Sequence, residues 1–334
     1  MEALSQDFAQ EVCEILAKSL SNNNEERNTY EAMYHKLLAE RPEQLLLSLI
    51  LALKAEKLEV RILAAILLKN LLKPSAKLFG KLSELYKEGV KVELLNALAG
   101  QSDRKVKELL AEDIGLLGVS ILTSGGSNGH WKELLPYVYQ IITTGGELRL
   151  AGLYILKAMF PYMFEEMTAN AGDLLQLFKL SLSDSSYFTR LACISSMTSL
   201  ISVADTNKIL IFSELVPEML RSIDYIMSNH QCLGSTALET LTELVQSEPK
   251  IFKASFFNSI ELASHICSKP DLDVGVKSLV LEFAVSLSER IPRQIQKNIN
   301  LGTGLLKLIF DIMIQIDSDV EDSWKVPEEG LCEK

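Results

Sequence analysis

Glycine and proline are scarce in this chain, at 17 and 9 of 334 residues. Folds that turn often need more of both, so the sequence reads as long helices with short joints. No run of strict apolar and polar alternation is found either, and no strand is assigned. Long hydrophobic runs are missing as well. The most apolar stretch, Leu45 to Leu53, is held between Glu43 and Lys54, whereas a membrane-spanning helix needs roughly twenty residues. The acidic start Met1-Glu2-Ala3-Leu4-Ser5-Gln6-Asp7 lacks the basic region and cleavage site of a secretory signal. Cys13, Cys193, Cys232, Cys267 and Cys332 are odd in number and widely spaced, with no Cys-x-x-Cys pair, and are expected to be reduced. Asn-x-Ser/Thr acceptors are absent from the sequence, which agrees with a chain that stays on the cytosolic side. Basic charge is in the minority, 33 Lys and Arg against 44 Asp and Glu, for a net charge of −11. That balance disfavours the nucleic-acid backbone as a partner and favours basic protein segments.

What the chain does have is aliphatic bulk: 48% of residues are hydrophobic and the mean hydropathy is +0.15, enough for a large core and too much for disorder. Tyr30, Met33, Tyr34, Leu37 and Leu38 form the stripe of an amphipathic helix. A similar stripe, with Val60, Leu63, Ala64, Leu67, Leu68 and Leu71, ends before Pro74. With Val60 as marker the pattern recurs from Val106, Leu148, Thr189, Gly234 and Val276, at spacings of 46, 42, 41, 45 and 42 residues. This is the period of HEAT-type helix pairs. A basic residue follows the marker in five of the six segments, as Arg61, Lys107, Arg149, Arg190 and Lys277, while Ser235 is the exception.

Each marked B helix is preceded by an A helix, expected over Glu43–Ala55, Lys81–Ala99, Trp131–Thr143, Asp173–Leu182, Lys208–Met227 and Ile251–Ser268. With Leu4–Leu20 and Glu25–Glu40 there are seven pairs, and Gly304–Ile316 reads as the first helix of an eighth. A single pair cannot bury its apolar face, so the expected fold is an all-α solenoid, a right-handed superhelix of stacked pairs over residues 1–316 with B helices on the concave side. Leu63, Leu67, Leu68, Ala151, Ile155, Leu279 and Phe283 are expected in its core. Residues 317–334, with seven acidic residues and two lysines, read as a flexible tail or a truncated loop.

Catalytic patterns fail on context. Gly125-Gly126-Ser127-Asn128-Gly129, followed by His130, matches a nucleophile elbow, but that motif needs a strand before its serine and Val106–Leu122 reads as helix. His35, His130, His230 and His265 are too scattered for a metal pair. Gly302-Thr303-Gly304 lacks the third glycine of a dinucleotide fold. No enzyme activity, cofactor or metal is therefore expected. Carboxylates pair at helical spacing, Glu239 with Glu243 and Glu282 with Glu289. Three readings stand for them: solvated helix faces, an acid/base pair, or an acidic lining that attracts basic peptides.

Several segments carry a family resemblance. Arg61-Ile-Leu-Ala-Ala-Ile-Leu-Leu-Lys-Asn-Leu-Leu72, Arg104-Lys-Val106, Trp131 after a Gly/Asn-rich loop, Leu148-Arg-Leu-Ala-Gly-Leu-Tyr-Ile155 with Phe160-Pro161, Leu215-Val-Pro217, Leu279-Val-Leu-Glu-Phe283 with Ser286-Leu-Ser-Glu289, and Asp322-Ser-Trp324 occur in order. Together they resemble the importin-beta superfamily of nuclear transport receptors, especially the importin five (karyopherin beta three) branch. The first repeat matches poorly, and receptors of the family are longer than this chain.

The resemblance implies a monomeric carrier that shuttles between cytoplasm and nucleus, takes up basic cargo bearing a nuclear localisation signal, crosses the pore on Phe-Gly nucleoporins and releases cargo to Ran-GTP. It implies neither membrane insertion nor direct nucleic-acid binding. Ran-GTP is expected on the first B helices, with Arg61, Lys69, Asn70 and Lys73 as candidates. Phe-Gly repeats are expected between outer A helices at Leu174, Leu175, Phe178, Phe212 and Leu215, and basic cargo at Glu239, Glu243, Glu282 and Glu289. A HEAT scaffold that assembles other proteins without Ran is the alternative, although scaffolds of that type tend to a more even period.

Overall fold

The structure, a computed structural model, describes residues 6–123, 131–164, 171–204 and 209–324. The segment Gly125–His130, where the apparent nucleophile elbow falls, lies outside the described residues. Two compact units divide the chain, Met1–Asn170 and Ala171–Lys334. Among the described residues every regular element is helical, and no helix is long and apolar enough to cross a membrane.

The first unit contains α1 (Gln6–Ser19), α2 (Asn24–Glu40), α3 (Pro42–Ala52), α4 (Leu58–Leu72), the short α5 (Leu78–Lys81), α6 (Glu84–Gly100), α7 (Arg104–Thr123), α8 (Leu134–Thr144) and α9 (Glu147–Met159). Its pairs are α1 with α2, α3 with α4, α6 with α7 and α8 with α9, while α4, α7 and α9 stack on one another as B helices. The second unit contains α10 (Ala171–Leu182), α11 (Tyr187–Ile201), α12 (Val216–Asn229), α13 (Gln231–Ser247), α14 (Phe256–Cys267), α15 (Val274–Arg290), α16 (Pro292–Lys297) and α17 (Ile299–Trp324). There α11, α13 and α15 stack as B helices, and α12, α14 and α17 form the row of A helices beside them. Among the described residues there are seven pairs and the first helix of an eighth, helix repeats of an α-solenoid of HEAT type.

Local sequence sets the helix starts. The Asn23 side chain accepts hydrogen bonds from the Glu25 and Glu26 amides at 2.9 and 3.4 Å. Asp103 caps α7 through the Val106 amide at 2.9 Å, and Asp273 caps α15 through the Gly275 amide at 2.7 Å. Such side-chain acceptors satisfy amides that a helix cannot pair internally. Glycine serves two tight places. Gly145 and Gly146 turn the chain between α8 and α9 at φ of 88° and 71°, and a Cβ on the marker Gly234 would lie 2.7 Å from the Met227 Cα of α12.

Three elements differ most from expectation, and other helix ends shift by one to three residues. The helix expected over Lys208–Met227 is a 3-10 segment, Leu210–Leu215, followed by α12. Pro217 stands in the first turn of α12, where its missing amide and fixed φ favour a new start. Similarly, Ile251–Ser268 splits into a 3-10 segment at Pro249–Phe252 and α14. The helix expected to end at Ile316 runs on to Trp324, because no glycine or proline interrupts the chain before Pro327. Eight residues of the supposed tail are thus helical.

Core phase was read correctly at Leu68, Ala151, Ile155 and Phe283, all buried. Leu63, Leu67 and Leu279 are only half-buried. B helices are covered on two sides, by their own A helix and by the next B helix, so the buried arc of α4 turns toward Val60, Ala64, Ala65, Leu68, Leu71 and Leu72.

Candidate functional site

The period places Glu239, Thr242, Glu243 and Gln246 on one face of α13, and Leu279 and Glu282 on one face of α15. Because α13 and α15 stack as neighbours, these faces meet in a groove of about 260 Å³ lined by all six residues. The three glutamates are exposed, Leu279 is half-buried and Thr242 is buried. The Thr242 hydroxyl donates to the Leu238 carbonyl at 2.9 Å, so it is satisfied within its own helix. Among the described residues no lysine, arginine or histidine forms an ion pair with Glu239, Glu243 or Glu282. Three like charges facing one cleft raise each other's energy, and a cationic side chain entering it relieves the repulsion. The structure therefore brings together three of the four residues singled out for basic cargo. Glu289, seven residues beyond Glu282, is exposed outside the groove.

Of the residues named for Ran, Arg61 points elsewhere. Its Nη1 donates to Gln101 Oε1 at 2.9 Å, and Gln101 Nε2 donates to the Leu53 carbonyl at 3.1 Å. This bracket ties the end of α3 and the start of α4 to the joint before α7. The basic residue after three other markers does similar work. Lys107, only 4% exposed, donates to Glu147 at 2.7 Å, and Arg149 donates to the Ile142 carbonyl at 2.8 Å. Arg190 donates to the Asp184 carbonyl and lies 3.9 Å from the Tyr225 ring centroid. Arg61 thus works as a joint clamp. Lys69, Asn70 and Lys73 remain exposed, with Lys69 bonded to Glu112 of α7 at 2.7 Å. That hydrogen bond raises the lysine's pKa above its ordinary value.

The five residues named for Phe-Gly repeats are all core. Leu174, Phe178 and Leu215 are fully buried, Phe212 is 1% exposed and Leu175 8%. Phe178 and Phe212 meet edge to face, with ring centroids 6.4 Å apart. No rim is left at those positions for a foreign ring. Periodicity finds an apolar face but does not show which of its members the neighbouring element covers.

Two features escaped sequence reasoning. Gln101 carries no local signal, since its partners Arg61 and Leu53 lie 40 and 48 positions away. Asp113 is fully buried on α7, and neither carboxyl oxygen has a hydrogen-bond partner. Burial holds its pKa well above the ordinary carboxylate value, with Glu112 acting in the same direction and Lys69 opposing. The signal was present, since Asp113 continues the buried stripe of Val106, Leu110 and Leu117.

Stacked helix pairs with an acidic groove between B helices define a HEAT-type repeat protein. A family model described as "IPO5-like, TPR repeats" matches residues 102–262. "Importin subunit beta-3" from Saccharomyces cerevisiae is 23% identical over 195 residues, 58% of this chain and 18% of that protein. By these matches the chain is similar to members of the importin-beta family. Among solved structures, Kap121p superposes with a TM-score of 0.80 at 20% identity, covering 99% of this chain and 31% of that one. Kap121p bound to RanGTP gives 0.78 at 21% identity, covering 98% and 31%. Kap121p bound to Nup53p gives 0.78 at 21%, covering 99% and 32%. At such identities the structures establish the fold, and this chain spans less than a third of their length.

Proposed function

We propose that this chain carries basic protein cargo through the nuclear pore as part of a transport receptor, and that the Glu239, Glu243 and Glu282 groove is where a basic cargo segment docks. The observation that carries this reading is the meeting of three carboxylates, none in an ion pair, across two stacked B helices. The likeness to importins supports it, as do the structures of Kap121p bound to RanGTP, Nup53p, Pho4p and Ste12p. On this reading the chain is a monomer that shuttles between cytoplasm and nucleus and recognises the lysines and arginines of a nuclear localisation signal.

Ran-GTP is proposed to meet α4 through Lys69, Asn70 and Lys73, with Arg61 keeping the joint beneath them rigid. Phe-Gly segments are proposed to use apolar residues that remain outside the core on the elements first singled out: Leu180, Leu210 and Ile211, 42%, 47% and 45% exposed.

The cargo reading is tested by fluorescence anisotropy with a labelled peptide carrying a Lys/Arg run. Exposed charge pairs contribute about 0.2–1 kcal/mol each, so a Glu239→Gln, Glu243→Gln, Glu282→Gln variant should bind about 3–150-fold more weakly. The Glu289→Gln variant should bind like wild type. Equal affinity in wild type and the triple variant would refute the groove as cargo site.

A further inference from the structure

Residues 60–83 hold Arg61, Lys69, Lys73, Lys77 and Lys81 and no Asp or Glu. This is the longest acid-free stretch in a chain whose net charge is −11. Two of the five are engaged, Arg61 by Gln101 and Lys69 by Glu112. Lys73, Lys77 and Lys81 are exposed, and among the described residues none is in an ion pair. Just downstream Lys87 and Lys91 are each held at 2.8 Å by Glu84 and Glu88. The three free lysines sit on a fixed support. Pro74–Ala76 forms a 3-10 turn, and both it and α5 pack on α4 and α7. Phe79 and Leu82 are sunk to 5% and 4% exposure. Lys77 itself has φ of 53°, and it is the one positive-φ residue other than glycine among the described residues. A glycine would take that backbone without strain, so a mere connector would do better with one there. Strained positions of this kind concentrate where a surface has a task.

We propose that Lys73, Lys77 and Lys81 form a docking surface for a short acidic segment of a partner protein. The surface offers an anion three exposed ammonium groups within nine residues, on a backbone already ordered before binding. A nucleic acid is the poorer occupant. It would extend well past three lysines, and the field of a chain with 11 excess acidic charges repels the rest of its phosphates. A short acidic segment meets the lysines alone.

The test uses a fluorescein-labelled peptide of alternating Glu and Ser, titrated by anisotropy against the whole chain at low salt. The Lys73→Ala, Lys77→Ala, Lys81→Ala variant should lose about threefold or more in affinity. Wild-type binding should weaken as salt is raised. The Lys87→Ala, Lys91→Ala variant should bind like wild type. Lys77→Gly should melt at a higher temperature yet bind more weakly, a combination that a structural role would not give. Circular dichroism checks folding, which three surface truncations should leave intact. Unchanged affinity in the triple variant, or an equal loss in the Lys87, Lys91 control, would overturn the proposal. A single-stranded oligonucleotide that binds more tightly than the peptide, and loses its binding in the triple variant, would replace the protein partner with a nucleic acid. Lys73 is shared with the Ran-GTP reading, but the assay contains neither Ran nor cargo, so its failure leaves that reading as it stands.

Discussion

Truncating Phe178 to Ala should cost about 3–5 kcal/mol of stability, the loss expected when a fully buried aromatic ring leaves a cavity. The ring is fully buried, and it meets Phe212 across the contact between α10 and the 3-10 segment Leu210–Leu215. Against a domain stability of about 5–15 kcal/mol, the loss should show as a large drop in the urea midpoint. The result also decides between two roles. A ring that received a Phe-Gly repeat would sit at the surface, and its removal would weaken binding with little effect on folding. A cost below about 1 kcal/mol would place the ring outside the core.

The second large effect runs in the stabilising direction. Leucine has the same number of side-chain heavy atoms as aspartate, and Asp113→Leu replaces a buried carboxyl that has no hydrogen-bond partner. Leaving such a group buried costs about 1–3 kcal/mol, so the variant should be more stable by about that amount at neutral pH. The gain should depend on pH. Burial holds the Asp113 pKa well above its ordinary value, so the folded state keeps its proton to a higher pH than the unfolded state. Its contribution is fully present below the unfolded pKa of about 3.9 and is lost as pH rises through the folded value. The difference between variant and wild type should therefore be smallest near pH 4 and widen toward pH 8. A difference that stays flat over this range would show that the carboxyl does not titrate in a buried site.

The helix pairs were legible because their signal is local and repeated. The six markers, Val60, Val106, Leu148, Thr189, Gly234 and Val276, each fall at the second to fourth residue of a B helix. Even the odd member has a cause, since a Cβ on Gly234 would strike the backbone of α12. What depends on a neighbour some forty residues away was harder to read. Arg61 looked like a surface cation because Gln101, the partner that turns it inward, lies 40 positions along the chain. Leu67 and Leu279 looked like core because the stripe does not show where a second packed helix stops covering it. The Phe-Gly residues failed for the opposite reason, since the neighbouring element covers every one of them. The acidic groove was partly legible. Glu239 and Glu243 share a face of α13 by spacing alone, and the repeat period carries Glu282 onto the matching face of the next B helix. Nothing in the spacing said that Glu289 would fall beyond the groove.

Nucleotide-dependent release is the property that separates a transport receptor from a HEAT scaffold. The decisive measurement loads the chain with the labelled basic peptide, then adds Ran-GTP or Ran-GDP while anisotropy is followed. A transport receptor should release the peptide to Ran-GTP at concentrations where Ran-GDP leaves it bound. Equal displacement by both forms, or none by either, would contradict the account and return the chain to the scaffold reading.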